Sequence, residues 1–347
     1  MPRKTKLFRF LLLFITSSLA QERFEPQKTA LNQITIDGVL SPEEWKDAIL
    51  VDIDFEVNPG NNLPAKVKTS SYITYTDTHL FIAFHAFDNT KNIRASVRSR
   101  DDFGMLNDDL IIVRFDTYAD GRNNYLLASN PFGSQFDARA INALTDEDRY
   151  DGSFNLDFET VGTIVEDGYQ VEFKIPFSSL PFPNGTDQLW HFNFFRKYYR
   201  DGNEIELRSQ PFDRNDPCQV CQTTDQLVLK DITIEKRVEL LPYIAGSLSG
   251  VRPNRNASLN YDKFKPNAGL GLNIDLNKNS TLEVTLNPDF SQVEADVTQI
   301  DVNSSYALEY PERRPFFNRG TDIVNFTDGA FYSRSINNPL ISTKLLS

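Results

Sequence analysis

Three pairs of adjacent carboxylates, Glu43–Glu44, Asp101–Asp102 and Asp108–Asp109, are the first residues in this chain with the types needed for acid–base chemistry. Glycoside hydrolysis needs two carboxylates that face each other across a sugar. Neighbours along a strand point to opposite faces, so none of these doublets is such a pair. Solvated turn positions are the plainer reading. The segment "FDTYADGR" (115–122) sets Asp116 and Asp120 before a glycine, an oxygen-rich turn of the kind that could hold calcium. It lacks the full ligand spacing of a calcium loop. Cys218 and Cys221 form a C-x-x-C in "NDPCQVCQ". That spacing serves redox or zinc sites elsewhere, but here it lies in a loop rich in Pro, Asp and Gln. A local disulfide that pins the loop is the expectation. His85 in "FIAFHAFD" shares a strand face with Phe81, Ala83 and Phe87, so a satisfied core histidine is the expectation. No serine stands in a G-x-S-x-G setting, and no glycine-rich loop opens a helix.

The chain that must position these groups has 347 residues, enough for more than one core. Residues 1–20 carry Arg3, Lys4, Lys6 and Arg9, then "FLLLFIT", then "SSLA". This is the order of a secretory signal peptide, cut after Ala20, so the mature chain is expected to be exported. The formal net charge is -12, and such a chain repels phosphate backbones, so nucleic acid is disfavoured and no nucleic-acid partner is expected. A mean hydropathy of -0.41 argues against a helical membrane protein but not against a transmembrane β-barrel, whose strands alternate.

Residues 21–33 read as a polar, structureless leader. From residue 34 the pattern is one of short β runs with turn punctuation. "KVKTSSYITYTDTHLFIAFHAFD" predicts two strands joined at "TDTH", and "DDLIIVRFDT", "NNYLLASNPFGSQFDARA", "GYQVEFKIPFSSL" and "QLWHFNFFRKYYR" predict more. Ser41, Pro42 and Glu44 make a capping box for one or two helical turns, with Trp45 packing down on the sheet. Trp190 is expected inside. Residues 34–235 therefore read as an all-β sandwich. In residues 236–347, Leu270, Leu272, Ile274 and Leu276 alternate with Gly269, Gly271, Asn273 and Asp275. After "NKN", Leu282, Val284 and Leu286 alternate with Glu283, Thr285 and Asn287. A lipid-facing barrel strand and a half-solvated soluble strand both have this pattern.

The ordered segments "ITIDGVLSPEEWKDA", "YTDTHLFIAFHAFD", "NDDLIIVRFDTYADGR", "SNPFGSQFD" and "DGYQVEFKIPFSSL" resemble a family-9-type carbohydrate-binding domain. The resemblance covers most of the first half and implies a jelly-roll-like β-sandwich. It also implies a sugar chain end as ligand, held between tryptophans, with calcium nearby. Here the matching segment reads "SFNLDFET", with Phe154 and Phe158 in place of a tryptophan. The polar candidates for sugar contact are Arg98, Arg100, Asp101, Asp102, Asp109, Arg122, Asn130 and Asp137. "LNPDFSQVEADVTQIDVN" followed by "YPERRPFFNRGTDI" is similar to a signature of domain-of-unknown-function family 5916, exported proteins of Gram-negative bacteria with an outer-membrane β-barrel. That resemblance implies that residues 236–347 are the first strands of an incomplete transmembrane barrel, with the chain a fragment of a longer one. It makes Glu294, Asp296, Asp301, Glu309 and Glu312 lumen or turn residues, with Arg313 and Arg314 as partners for Glu309 or Glu312. Three functions follow as expectations: binding or uptake of glycans at the outer membrane, a glycan-degrading enzyme of carbohydrate catabolism that hydrolyses O-glycosyl bonds, or a structural barrel protein with no sugar ligand.

Overall fold

The computed structural model describes residues 21–30, 33–141, 150–152, 154–233, 238–252, 254, 257–277, 280–288, 316 and 339–346. The signal-peptide segment and the residues from Glu294 to Arg314 lie outside the described residues. Strands β1 (Arg23–Phe24), β2 (Ile49–Asp52), β3 (Phe55–Asn58), β4 (Leu63–Pro64), β5 (Thr69–Tyr75) and β6 (His79–Phe87) come first. Next are β7 (Leu110–Asp116), β8 (Asn123–Ser129), β9 (Gln135–Ile141), β10 (Tyr150–Asp151), β11 (Glu159–Val165) and β12 (Gly168–Pro176). The first half closes with β13 (Gln188–Arg200), β14 (Asn203–Arg208) and β15 (Asp225–Leu229). The second half holds β16 (Val238–Ser247), β17 (Gly250–Val251), β18 (Asn260–Tyr261), β19 (Lys265–Asn277), β20 (Ser280–Leu286) and β21 (Ile341–Leu346).

Two sheets make the sandwich. The larger runs β10-β9-β8-β7-β13-β14-β3-β4, with β15 on the first half of β13 and β1 parallel to β15. The smaller runs β11-β12-β6-β5-β2. Apart from the β1–β15 pair, their ladders are antiparallel, so alternate side chains share a face. From the larger sheet, Ile111, Val113, Phe115, Trp190, Phe192 and Phe194 turn inward; Ile82, Phe84, Val171 and Phe173 meet them from the smaller. Phe84 packs edge-on against Phe173 at 5.8 Å and against Phe194 at 5.1 Å, which joins the two sheets. Trp190 is wholly buried, as the sequence predicts.

The leader is not structureless. β1 adds to the sheet because Phe24 packs on Phe192 at 5.4 Å, so one aromatic side chain holds a polar segment in register. Residues 41–48 form turns instead of a regular helix, with a single four-residue bond from Trp45 N to Ser41 O. What anchors them is tertiary. Glu172 on the outer face of the smaller sheet accepts Trp45 Nε1 at 3.1 Å, Gly38 N at 2.7 Å and Asp37 N at 3.0 Å. Burial nonetheless pushes the Glu172 carboxyl up to about 7. Trp45 and Ile34 then cover Phe81 and Ala83, and Ala48 packs beside them.

Charged groups enter the core. Arg196 on β13 is wholly buried. Its Nη2 donates to Asp88 Oδ2 at 2.7 Å, and its Nη1 donates to Thr69 Oγ1 and Phe87 O, both at 3.0 Å. Its guanidinium lies over Tyr198 at 4.9 Å. Arg200 donates to the same Asp88 oxygen. Close by, Asp109 is wholly buried and neither carboxyl oxygen has a hydrogen-bond partner. Burial pushes Asp109 up to about 6, against the pull of Arg200 and Arg196.

In the second half β16-β19-β20-β21 form an antiparallel sheet. The pairings put Leu240, Leu272, Val284 and Thr343 in one row and Val238, Ile274, Leu282 and Leu345 in another. The opposite face carries Glu239, Asn273, Glu283 and Lys344 in one row, bonded by Asn273 to Glu239 at 2.9 Å and Lys344 to Glu283 at 2.9 Å. This alternation is the one expected from the sequence. The described residues form no closed barrel. Among them no helix is long and apolar enough to cross a membrane.

The raised pKa of Asp109 means that the folded chain holds that proton more tightly than the unfolded chain. The resulting stabilisation is complete below the ordinary value of 3.8 and is lost as pH rises through about 6. Replacing Asp109 by Asn removes this dependence. The difference in Tm between Asp109→Asn and the parent should therefore move in the variant's favour as pH rises from about 4 to about 7. A difference that stays constant across that window would contradict the assignment.

Candidate functional site

Six of the eight polar residues singled out for sugar contact come together beside the β8–β9 hairpin, where they bond one another. Arg98 donates to Asp108 through Nε at 2.9 Å and Nη2 at 3.2 Å. Asn130 Nδ2 donates to the same carboxylate at 3.0 Å, and Ser96 N does so at 3.3 Å. The Asn130 carbonyl accepts Phe132 N and Ser134 N, which shapes the hairpin end. Asp102 caps a short 3-10 turn by accepting Gly104 N at 2.8 Å. Arg100 pairs with Asp137 at 2.5 Å and lies over Phe158 at 5.3 Å. Asp137 also accepts Leu156 N at 2.6 Å, and Asp101 accepts Asp137 N at 3.3 Å. Burial is the main cause that raises the Asp137 carboxyl above its ordinary value. These groups spend their hydrogen bonds on holding residues 96–109 against β9.

The other two lie apart. Asp109 is in the core, and Arg122 is in the exposed β7–β8 turn, 3.8 Å from Asp120. In that turn Asp116 Oδ2 accepts Gly121 N at 2.8 Å and Asp120 Oδ1 accepts Arg122 N at 2.9 Å. Both carboxylates close their own loop, as Asp does in turns. Among the described residues no group of three or more His, Cys, Asp or Glu is arranged to hold a metal ion. His85 is bonded to Asp167 at 2.9 Å on the outer face of the smaller sheet. Phe154 and Phe158 pack toward the core, Phe158 stacked on Phe173 at 6.3 Å and Phe154 against Tyr125 at 5.4 Å.

A cleft opens elsewhere, on the outer face of the larger sheet. Its volume is about 350 Å3, within the range that takes a small ligand. Glu206 and Arg208 are two apart on β14 and so share that face; they form its floor. Val57 and Asn58 line one side, and Phe212, Arg214 and Gln219 line the other. Arg208 Nε donates to Glu206 at 2.6 Å. Its guanidinium lies 3.6 Å from the centre of the Phe212 ring and 4.6 Å from that of Phe195.

The walls are held by side-chain amides that act as short pieces of ladder. Asn62 has the left-handed φ of 56° that asparagine tolerates. Its amide donates to Phe212 O at 3.0 Å and accepts Phe212 N at 2.8 Å. Gln222 repeats the pattern with Asp213, at 2.9 and 2.7 Å. Cys218 and Cys221 are joined in a disulfide that brackets Gln219. Of the cleft residues, the sequence reading singled out none. Glu206 and Arg208 at a two-residue spacing before "SQPFDR" were the available signal, but an outward-facing charged pair on a strand is the commonest pattern of a solvated face.

Residues 235–345 match a family described as Domain of unknown function (DUF5916). No curated protein matches this chain. Among solved structures, the chain is similar to a carbohydrate binding module family 9 (CBM9) from Caldicellulosiruptor kristjanssonii in complex with cellotriose. The identity is 14% over 61% of this chain and 95% of that one, with a TM-score of 0.43. The same module in complex with glucose gives 15% identity over 61% and 97%, with a TM-score of 0.42.

If the Asp108 cluster is a structural lock, Asp108→Ala should destabilise the sandwich by about 3 kcal/mol, because Arg98 and Asn130 lose a charge-assisted partner. Urea unfolding followed by tryptophan fluorescence measures this. A change within experimental error would show that the cluster is free to serve another role.

Proposed function

We propose that this chain is an exported, non-catalytic glycan-binding protein of the cell envelope, with its sugar in the cleft floored by Glu206 and Arg208. The observation that carries the reading is the chemistry of that cleft. Sugars are recognised by planar polar side chains that reach hydroxyls and by a ring that covers an apolar face. Asn58, Glu206, Arg208 and Gln219 supply the first, and Phe212, stacked by the Arg208 guanidinium, adds an apolar part of the wall. The segments of the first half that resemble a carbohydrate-binding domain support the same reading. Among the described residues that line the cleft, Glu206 is the one carboxylate, and it is bonded to Arg208. Glycoside hydrolysis by the usual route takes two.

The second half is the membrane part of the proposal. Exposed Val238, Leu240, Ile244, Ile341 and Leu345 belong to one face of the β16-β19-β20-β21 sheet. An apolar face backed by a polar, hydrogen-bonded one is what a barrel wall needs, with lipid on one side and a wet lumen on the other. β16 has 10 residues and β19 has 13, long enough to cross the hydrocarbon core of a bilayer when tilted. The protein would then hold its sugar-binding sandwich at the outer membrane.

Two measurements test this. Calorimetric titration of the mature chain should find at least one binding polysaccharide. Gln219 is exposed at the rim, so Gln219→Trp should fill the cleft and lower affinity by more than about tenfold, with Tm unchanged. Absence of binding across a broad glycan array would end the reading. For the membrane part, Leu272→Arg places a charge in the middle of the apolar face, at a cost of about 2–4 kcal/mol if that face meets lipid. Expressed in a Gram-negative host, the parent should fractionate with outer membranes and require detergent for release, and the variant should be lost from that fraction. A parent recovered in the soluble fraction would remove lipid from the account.

A further inference from the structure

The charges around the cleft do not balance. Of the described residues that line it, two are basic, Arg208 and Arg214, and one is acidic, Glu206. A third cation, Arg114, stands next to them. Arg114 projects from β7 on the same outer face, and the Phe195 ring lies 4.6 Å from its guanidinium and 4.6 Å from that of Arg208. Among the described residues three guanidiniums therefore meet one carboxylate, in a chain whose formal net charge is -12. An acidic chain gains nothing in solubility from collecting an excess of arginines at one place.

Their hydrogen bonding is incomplete as well. Arg114 is 7% exposed, and its side chain makes no hydrogen bond or ion pair among the described residues. Its Nε is sealed from solvent without a partner. Arg208 is 8% exposed; its Nε serves Glu206, and its two terminal nitrogens make no hydrogen bond among the described residues. Burial is the main cause that lowers the Arg208 pKa from its ordinary value; Glu206 opposes it, and the neighbouring Arg114 adds to it. Elsewhere in this protein a buried arginine has both terminal nitrogens engaged: those of Arg196 go to Asp88, Thr69 and Phe87 O, and its Nε alone is left without a partner. A guanidinium out of water without an anion is costly, and a planar fork with both terminal nitrogens unused is the group that takes a carboxylate or sulfate through two parallel bonds.

We propose that the cleft is specific for an acidic sugar, whose carboxylate or sulfate is received by Arg208 with Arg114 and Arg214 as flanking cations. This rests on the reading of the cleft as a glycan site and narrows it to anionic glycans. The sugar's hydroxyls fall to Asn58, Glu206 and Gln219. Glu206 occupies Arg208 Nε and leaves the terminal nitrogens facing the ligand, so it orients the fork.

Calorimetry on the full mature chain tests this with three probes of matched length: a galacturonate oligomer for carboxylate, a sulfated galactan oligomer for sulfate, and a cello-oligomer as the neutral sugar. One acidic probe should bind at least about tenfold more tightly than the neutral one, the worth of one charge-assisted pair. Its affinity should fall as sodium chloride is raised. Arg208→Gln should remove that preference. Arg208 also packs on two rings, so Arg214→Gln at the exposed rim is the second variant, expected to weaken the acidic probe several-fold while Tm stays at the parent value. Equal affinity for acidic and neutral probes, or salt-independent binding, overturns the specificity and leaves the glycan site standing. No binding by any of the three overturns both.

Discussion

The register of β13 is the constraint on which the rest of the structure depends. Its 13 residues pair with β7 on one side and with β15 and then β14 on the other, so it is the spine of the larger sheet. Its inward positions supply Trp190, Phe192, Phe194, Arg196 and Tyr198 to the core, and its outward ones include Phe195. A slip of one residue would exchange the two sets. The core would receive His191, Asn193 and Lys197, and the ring that separates Arg114 from Arg208 would turn inside. Core and cleft are thus two readings of one strand, and neither can change register without the other.

The arginines on and around this strand show how environment divides one residue type into different roles. Arg196 enters the core with partners from the opposite sheet, so it fixes how the two sheets meet. Arg98 closes a long loop on its own Asp108, and Arg100 ties that loop to Asp137 of β9. Arg208 and Arg114 are nearly as buried and stacked on rings; Arg208 gives only its Nε to a carboxylate, and the Arg114 side chain has none among the described residues. Aromatic faces hold a guanidinium in place without using its donors. That is the physical difference between an arginine that builds the fold and one kept available.

The strands were legible in the sequence because period-two alternation survives in β5, β6, β7, β12 and β13, and because "TDTH" and "NKN" mark their turns. The second-half hairpin was legible for the same reason. Trp45 and Trp190 were placed inside correctly by apolar context. The leader was misjudged because a two-residue strand leaves no period; only the distant Phe192 explains β1. Residues 41–48 carried a capping box, but Glu172, far along the chain, decides their conformation. The charged cluster at residues 98–137 drew attention by composition, and composition does not say whether a charge has a partner. The cleft was invisible for the converse reason: it is assembled from β3, β14 and the following loop, which meet only in the folded chain.

The C-x-x-C bridge has a consequence that concerns the unfolded chain. A disulfide stabilises a fold largely by restricting the denatured ensemble, and the restriction grows with the length of chain enclosed. Cys218 and Cys221 enclose only two residues, so the bridge removes little disorder from the unfolded protein. Its effect is local: it keeps Gln219 and Val220 in one short turn against the β7–β8 loop, where Gly121 lies against Cys221. A reducing environment would leave the sandwich folded and loosen one wall of the cleft. The bond acts as a stiffener of the cleft wall, and its loss would be felt as local slack before it was felt as a lower melting point.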